Sequence, residues 1–424
     1  MASHNITPPP PHHRLEIFFG EFFREMRKAS PETYGAFLAR AEEEFKRLGY
    51  REKISQGVEN ILIVRFDIIG DMVLTSGFIR EVRANFPKAN ITLVVEPAVY
   101  SIVEFCPYVN EVLYFARGSL SNNLTETLER IVFFCKEHFW HKKFSLAFCP
   151  KFSAWKLPAL WMAWLSGARE RIGYGVEVDK DYALDKFLLT KNVIAPKAFL
   201  SHTYAEITMY TLLAGGYTIN QTHMELFYTE ADVYQARELL RVFPKSYKKV
   251  LIGIGASEKN RKYPIEKYLI ALRELVKKEL CFVIVGGKSE IDDAEFLEKN
   301  LPKGKVLNLV GKTTLRETEA IVSQADFYLG NVTGIMHMAA AEKIPILCIY
   351  REAKELDNLR TGNEFVLFPP YQTKFVILRP EHRLDDCATL PPIYGGCHHK
   401  EPHCITQITP QEIIVGFEML EEMI

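Results

Sequence analysis

The chain has 424 residues, 48% hydrophobic and 25% charged, and its 52 Lys and Arg against 53 Asp and Glu leave a formal net charge of -1. That length is too great for one ordinary core and points to two domains. The near-zero charge excludes a global basic field for nucleic acid, and no apolar run approaches the roughly 20 residues a membrane span needs. The N-terminus lacks a basic stretch followed by an apolar core, so no secretory signal is read. Most cysteines lie in apolar segments (Cys106, Cys135, Cys149, Cys281, Cys348), which suits reduced, buried thiols in a cytoplasm better than a disulfide framework.

Residues 1–14 are rich in Pro and His and read as a disordered tail. Residues 15–55 read as helical. Between Leu15 and Ala29, Phe18, Phe19, Phe22, Phe23 and Met26 recur at helical spacing, with Arg24, Arg27 and Lys28 on the other side. Packing on the body of the protein is the ordinary use of such a face; a homodimer contact and a helix lying on a membrane surface are the alternatives. Strand–helix alternation follows. Ile61-Leu62-Ile63-Val64 is a buried strand, Gly70-Asp71 leads a helix through Arg83, and Ile91–Val95, Val112–Phe115 and Leu146–Phe148 are further strands. A second alternation runs through Val250–Ile254, Phe282–Val285, Val306–Leu309, Ala325–Leu329 and Ile344–Tyr350. The expectation is two doubly wound α/β halves, divided near residues 228–245, facing a cleft at the carboxyl ends of their strands.

Five segments carry chemistry. Arg65-Phe66-Asp67-Ile68-Ile69-Gly70-Asp71 follows the first strand, so its loop belongs at the cleft rim. Asp71 there is either a helix N-cap or a general base, and Asp67 is a second carboxylate able to serve. Gly253-Ile254-Gly255 opens like a dinucleotide fingerprint, but Glu258 replaces the third glycine, which disfavours a nicotinamide enzyme. The following Arg261 and Lys262 suit either a diphosphate or a solvated basic loop. Gly286-Gly287-Lys288-Ser289-Glu290 again ends a strand; Glu290 is either an acceptor for ribose hydroxyls or an acid favoured by a helix start. Gly330-Asn331-Val332-Thr333-Gly334 turns a strand into a helix of small residues, a way of aiming backbone N–H groups at a phosphate as well as an ordinary tight turn. Finally, Cys387, Cys397 and Cys404 accompany His398, His399 and His403. Their spacing is not a double C-x-x-C, so a loop-rich tail with free thiols is expected over a zinc site. Aromatics Trp155, Trp161 and Trp164 at helical spacing read as core.

Taken in order, these pieces resemble a bacterial glycosyltransferase of family 9, the heptosyltransferase family, from about residue 60 to residue 415. Arg171-Ile172-Gly173-Tyr174, His202 ahead of Leu212-Leu213-Ala214-Gly215-Gly216, Asn308-Leu309-Val310-Gly311-Lys312-Thr313, and Cys404-Ile405 leading to Ile408-Thr409-Pro410 belong to the same series. The resemblance implies the GT-B fold, two Rossmann-like domains facing a cleft. Residues 1–57 would be a tail plus helical extension, 58–235 an acceptor-binding domain, and 236–424 a nucleotide-sugar-binding domain. It implies inverting transfer without cofactor or metal, typically from ADP-heptose. Asp71 would be the catalytic base. Arg261 or Lys262 would offset charge on the leaving diphosphate, helped by the N–H groups at Thr333 and Gly334. Glu290 would hold the nucleoside, and His337 matches the family histidine.

Two departures stand out. Val332 occupies a position where the family commonly has Asp, near the donor sugar, and Tyr263 replaces a tryptophan. The expected partners are a nucleotide sugar and a glycan, glycolipid or protein acceptor, with no nucleic acid. The expected location is the cytoplasm, with peripheral contact at the inner membrane left open. Lipopolysaccharide core or another surface glycan is the leading acceptor. A protein O-glycosyltransferase and a nucleotide-binding homologue without transfer activity are the rivals.

Overall fold

The computed structural model describes residues 11–26, 34–52, 59–116, 124–152, 157–175, 185–193, 202–358, 364–389 and 397–424. The first half runs α1 (Pro11–Met26), α2 (Tyr34–Arg47), β1 (Asn60–Arg65), α3 (Ile69–Asn85), β2 (Asn90–Val95), α4 (Tyr100–Val103), β3 (Glu111–Tyr114), α5 (Leu124–His138), β4 (Leu146–Cys149), α6 (Leu157–Leu165), β5 (Glu170–Tyr174), α7 (Asp185–Leu188), β6 (Lys191–Val193) and α8 (Tyr204–Gly215). The second runs α9 (Glu230–Leu240), β7 (Lys248–Gly253), α10 (Ile265–Leu275), β8 (Leu280–Val285), α11 (Ile291–Asn300), β9 (Val306–Asn308), α12 (Leu315–Val322), β10 (Phe327–Asn331), α13 (Gly334–Ala341), β11 (Ile346–Ile349), α14 (Glu364–Leu367), β12 (Phe375–Leu378), α15 (Asp385–Ala388) and α16 (Pro410–Glu422).

The strands form two parallel six-stranded sheets, ordered β3-β2-β1-β4-β5-β6 and β12-β11-β10-β7-β8-β9. Central strands such as β1 and β8 are apolar and buried on both faces, as a parallel sheet covered by helices requires. In each sheet the strand order reverses once, between β1 and β4 and between β7 and β10. A crevice opens at the carboxyl ends of strands at such a switch point. The loops after these four strands carry Arg65–Asp71, Lys151, Gly253–Tyr263 and Asn331–Gly334.

The aromatic face of α1 is turned inward. Phe19, Phe22 and Phe23 are buried, and Phe19 stacks on Trp140 with ring centroids 5.7 Å apart. Each fully buried Phe contributes about 1.5–3 kcal/mol. The face offered above for a membrane or dimer contact is thus used within the chain. The helix starts at Pro11, four residues earlier than the periodicity indicates; residues 1–10 and 27–29 lie outside the described set. Trp161 and Trp164 are core residues of α6, and Trp155 lies outside the described residues. All eight cysteines are free thiols, and every one but Cys397 is buried. No helix among the described residues is long and apolar enough to cross a membrane.

Helix starts fall into two kinds. Thr203, Thr229, Thr314 and Thr409 close α8, α9, α12 and α16 with reciprocal capping boxes to an acid three residues on. The N-cap of α3 is Ile68, which has no capping side chain. Its orphan N–H groups are left for something else.

Candidate active site

At the first switch point, Asp67 sits between two cations. Arg65 Nε is 2.9 Å from its carboxylate, and Lys151, which follows β4, contacts the other oxygen while donating to the Phe66 carbonyl at 2.8 Å. All three side chains are buried. Asp67 is therefore neutralised in place and ill suited to collect a substrate proton. Asp71, in the first turn of α3, is only partly buried. It does not cap the helix, since the N-cap is Ile68. Its carboxyl lies within hydrogen-bonding reach of Asp67. Burial, then the neighbouring Asp67 charge, push its pKa up to about 8, against the pull of Arg65 and Lys151. The two cations and Asp67 hold one another, and Asp71, protonated until the pH passes about 8, is the member of the four that reaches the surface.

The second switch point is built around β10. Gly330 pairs with Gly253 of β7, and a Cβ on Gly330 would run into the Gly253 carbonyl oxygen. That closeness admits the Tyr328 hydroxyl, which donates to the Asn331 carbonyl at 2.7 Å and lies 3.3 Å from Thr333 Oγ1. Asn331 is fully buried and joins three segments. Its Nδ2 donates to the carbonyls of Ile254 (2.9 Å) and Gly255 (3.1 Å), and its Oδ1 accepts from the Tyr268 hydroxyl (3.0 Å) and the Tyr263 amide (3.3 Å). Thr333 is the N-cap of α13, its hydroxyl accepting from the Met336 amide at 3.4 Å.

These two halves touch. A Cβ built on Gly70 would lie 2.8 Å from His337 Cδ2 and 3.6 Å from Gly334 Cα. A Cβ on Gly334 would lie 2.8 Å from Ile69 Cβ and 3.2 Å from the Gly70 amide nitrogen. The N-termini of α3 and α13 thus meet with Asp71 at their junction. Two positive helix ends side by side favour an anion beside their junction. His337 is buried, and its Nδ1 has no hydrogen-bond partner among the described residues. Burial pushes its pKa down to about 4, so the ring is neutral at physiological pH. A run of rings also crosses the junction: Arg65 lies over Tyr204 at 5.2 Å, Tyr204 packs on Phe368 at 5.3 Å, and Phe368 faces His337 at 6.4 Å.

Residues 157–383, just over half of the chain, match glycosyltransferase family 9 (heptosyltransferase). The chain belongs to that family. A stretch of 110 residues is 26% identical to lipopolysaccharide heptosyltransferase 1 of Campylobacter coli, covering 25% of this chain and 32% of that relative. The match thus spans about a third of the curated relative. Among solved structures, a family 9 glycosyltransferase from Veillonella parvula superimposes with a TM-score of 0.68 at 16% identity, over 88% of this chain and 99% of that one. The ADP-heptose lipopolysaccharide heptosyltransferase II of E. coli gives 0.62 at 16% identity, over 86% and 100%. The architecture is accordingly GT-B.

In this family 9 chain, Asp71, Gly334 and His337 come together at the helix junction, with Thr333 holding the start of α13. Arg261 and Lys262 make local pairs. Arg261 Nη2 is 3.5 Å from Glu258, and Lys262 Nζ is 2.5 Å from Asp293 on α11. Glu290 accepts from the Gly287 amide at 2.8 Å and from Ser289 Oγ at 2.5 Å, so its helix-start role is realised. It also borders the loop after β7, since a Cβ on Gly255 would lie 3.1 Å from its Cδ. Val332 packs its side chain against the core. Tyr263 is buried and donates its hydroxyl to the Ile408 carbonyl at 2.9 Å. The sequence reading missed Lys151, Tyr204 and Asn331. An Asn ending an apolar strand beside Gly330 was the one signal for Asn331; Lys151 and Tyr204 gain meaning only from the topology.

Proposed function

We propose that this chain is an inverting, metal-independent glycosyltransferase. It moves a sugar, with heptose from ADP-heptose the first donor to test, onto a hydroxyl of lipopolysaccharide core or another surface glycan. The observation that carries the reading is the contact between Gly70 and Gly334. It supports a carboxylate, Asp71, working beside a helix N-terminus suited to a diphosphate. In this reading residues 58–235 bind the acceptor and residues 236–424 the donor, and the protein works in the cytoplasm.

Asp71 accepts the proton of the acceptor hydroxyl as that oxygen forms a bond to the anomeric carbon. The bond from that carbon to the diphosphate breaks on the opposite face, inverting the centre. Charge grows on the departing diphosphate and is offset by Arg261, with Lys262 in support, and by the N–H groups at the start of α13. Glu290 keeps unused lone pairs for ribose hydroxyls. His337, neutral and buried, supports the start of α13 against α3. Val332 leaves the donor-sugar side without the acid common in the family, which favours testing several nucleotide sugars.

The test is transfer and donor hydrolysis with a panel of nucleotide sugars, run alongside direct measurement of ADP binding. Turnover of at least one donor with release of its nucleoside diphosphate supports the reading. ADP binding without turnover of any donor, with any acceptor, contradicts it.

A further inference from the structure

The C-terminal cysteines and histidines play no part in the transfer chemistry above, yet the fold gathers them. Cys387 in α15, His399 and His403 bring a thiol sulfur and two imidazole nitrogens within 4.8 Å of one another. The two imidazoles stack at 3.7 Å with planes 9° apart. Cys404 adjoins them: its Sγ is 3.4 Å from His403 Nδ1, and it lies within hydrogen-bonding reach of the Cys387 thiol. Both cysteines are buried. His399 Nε2 is also buried, with no hydrogen-bond partner among the described residues. Asp386 borders both rings, 3.1 Å from His403 Nε2 and 3.6 Å from His399 Nε2.

Buried thiols alone behave as small hydrophobes and do not call for imidazoles beside them. Two thiols and two imidazoles gathered in one place supply the donor set of a tetrahedral transition-metal site. Bonds of about 2.0–2.3 Å would set neighbouring donor atoms roughly 3.3–3.8 Å apart, so binding draws the Cys387, His399 and His403 donors closer and turns the stacked imidazoles out of parallel, each lone pair then facing the ion. Asp386 stands where an outer carboxylate accepts the second N–H of a metal-bound imidazole and fixes the ring. We propose that Cys387, His399, His403 and Cys404 bind a tetrahedral transition-metal ion, with Zn²⁺ the ion that suits these donors. Binding replaces the thiol protons, which are released to solvent, and takes the imidazoles in their neutral form.

The ion's role follows from what the cluster holds. The His399 carbonyl accepts from Asn260 Nδ2 at 2.7 Å, and Asn260 Oδ1 accepts from Arg351. Arg351 also donates to Glu258 at 2.8 Å, and Lys259 pairs with Glu401 at 3.3 Å. The metal segment is thereby tied to the loop that bears Arg261 and Lys262. The ion is structural: it fixes that loop and takes no part in bond making or breaking.

The experiment begins with elemental analysis of the purified full-length protein, followed by chelation and titration with Co²⁺. About one equivalent of zinc or iron per chain is expected, and after its removal a thiolate-to-cobalt charge-transfer band that added Zn²⁺ abolishes. Cys387→Ser should cut that band by about half or more, Cys387→Ser with Cys404→Ser should remove it, and Asp386→Asn should weaken Co²⁺ binding roughly 10–100-fold. Chelation should speed amide hydrogen exchange over residues 258–262. A purified protein without metal that gives no charge-transfer band with Co²⁺ overturns the proposal. So does a band unchanged in Cys387→Ser, because the metal would then sit elsewhere. Where the variants fail to fold, chelation and Co²⁺ titration of the wild-type protein decide. None of these readouts depends on transferase activity.

Discussion

Gly70 and Gly334 meet where the two sheets face each other, so close that a Cβ on Gly334 would stand 3.2 Å from the Gly70 amide nitrogen and 2.8 Å from Ile69 Cβ. Neither glycine has a positive φ, so it is space and not backbone strain that requires them. The contact sets the distance between the Asp71 helix and the phosphate turn. Gly334→Ala should therefore keep the fold but force α3 and α13 apart, and a displacement approaching 1 Å can cost about 100-fold in rate. Circular dichroism and melting should stay near wild type while kcat falls; an unchanged kcat would show that the contact does not set catalytic geometry.

The pH dependence of kcat should report Asp71. A base must be ionised to act, and burial with Asp67 raises its pKa to about 8. The rate should therefore rise with pH through that value. Asp67→Asn removes the like charge and leaves Arg65 and Lys151 facing Asp71 alone, so the limb should move to lower pH. Lys151→Met should move it upward. A profile unmoved by either change would remove Asp71 from the proton transfer.

Much of this architecture was legible in the sequence, because buried strands and glycine turns are local signals. The strand cores at Ile61–Val64, Val250–Ile254 and Phe282–Val285 and the turn at Gly330–Gly334 are examples. Strands β5, β6 and β12 were not read as strands. Gly173 interrupts the first; β6, Lys191-Asn192-Val193, is a three-residue edge strand with a single apolar residue; and β12, apolar throughout, is a four-residue edge strand set among turn residues. Within the site, the residues alone left Asp67 able to serve in place of Asp71, and the family resemblance chose Asp71. The approach of Lys151, from the loop after a strand that is not adjacent in sequence, gives the physical reason their roles differ. The C-terminal cysteines and histidines stood out together in the sequence, but their spacing matches no simple ligand repeat and favoured free thiols; the fold is what selects Cys387, His399 and His403 from among them.

Of the two loop cations, Arg261 should matter more. Lys262 is held 2.5 Å from Asp293 on α11, a pair that would have to open before its charge could reach a diphosphate, and Arg261 occupies the position of the family's lysine. Arg261→Ala should lower kcat by roughly 100–1,000-fold, the scale seen when one donor to a developing anion is lost. Lys262→Ala should cost less. Steady-state kinetics with donor varied would check the order, and the reverse order would reassign the diphosphate cation.

Stability should respond to Glu319, buried on α12 and pushed up to about 9 by burial and by the nearby acids Glu342 and Asp232. Its folded pKa lies above the ordinary 4.5, so the unfolded chain ionises first as pH rises. Folding stability from this group is fully present below that ordinary value and is lost progressively up to about 9. Glu319→Gln should therefore raise the melting temperature more at about pH 8 than at about pH 5. An equal shift at both would mean that the acid is already ionised in the folded protein.

The most direct measurement is single-turnover transfer from the active nucleotide sugar by wild-type protein and Asp71→Asn, with ADP affinity measured on both. The account predicts a loss of roughly 100–10,000-fold in the chemical step, with ADP binding within a few-fold of wild type. Full transfer by Asp71→Asn would contradict it.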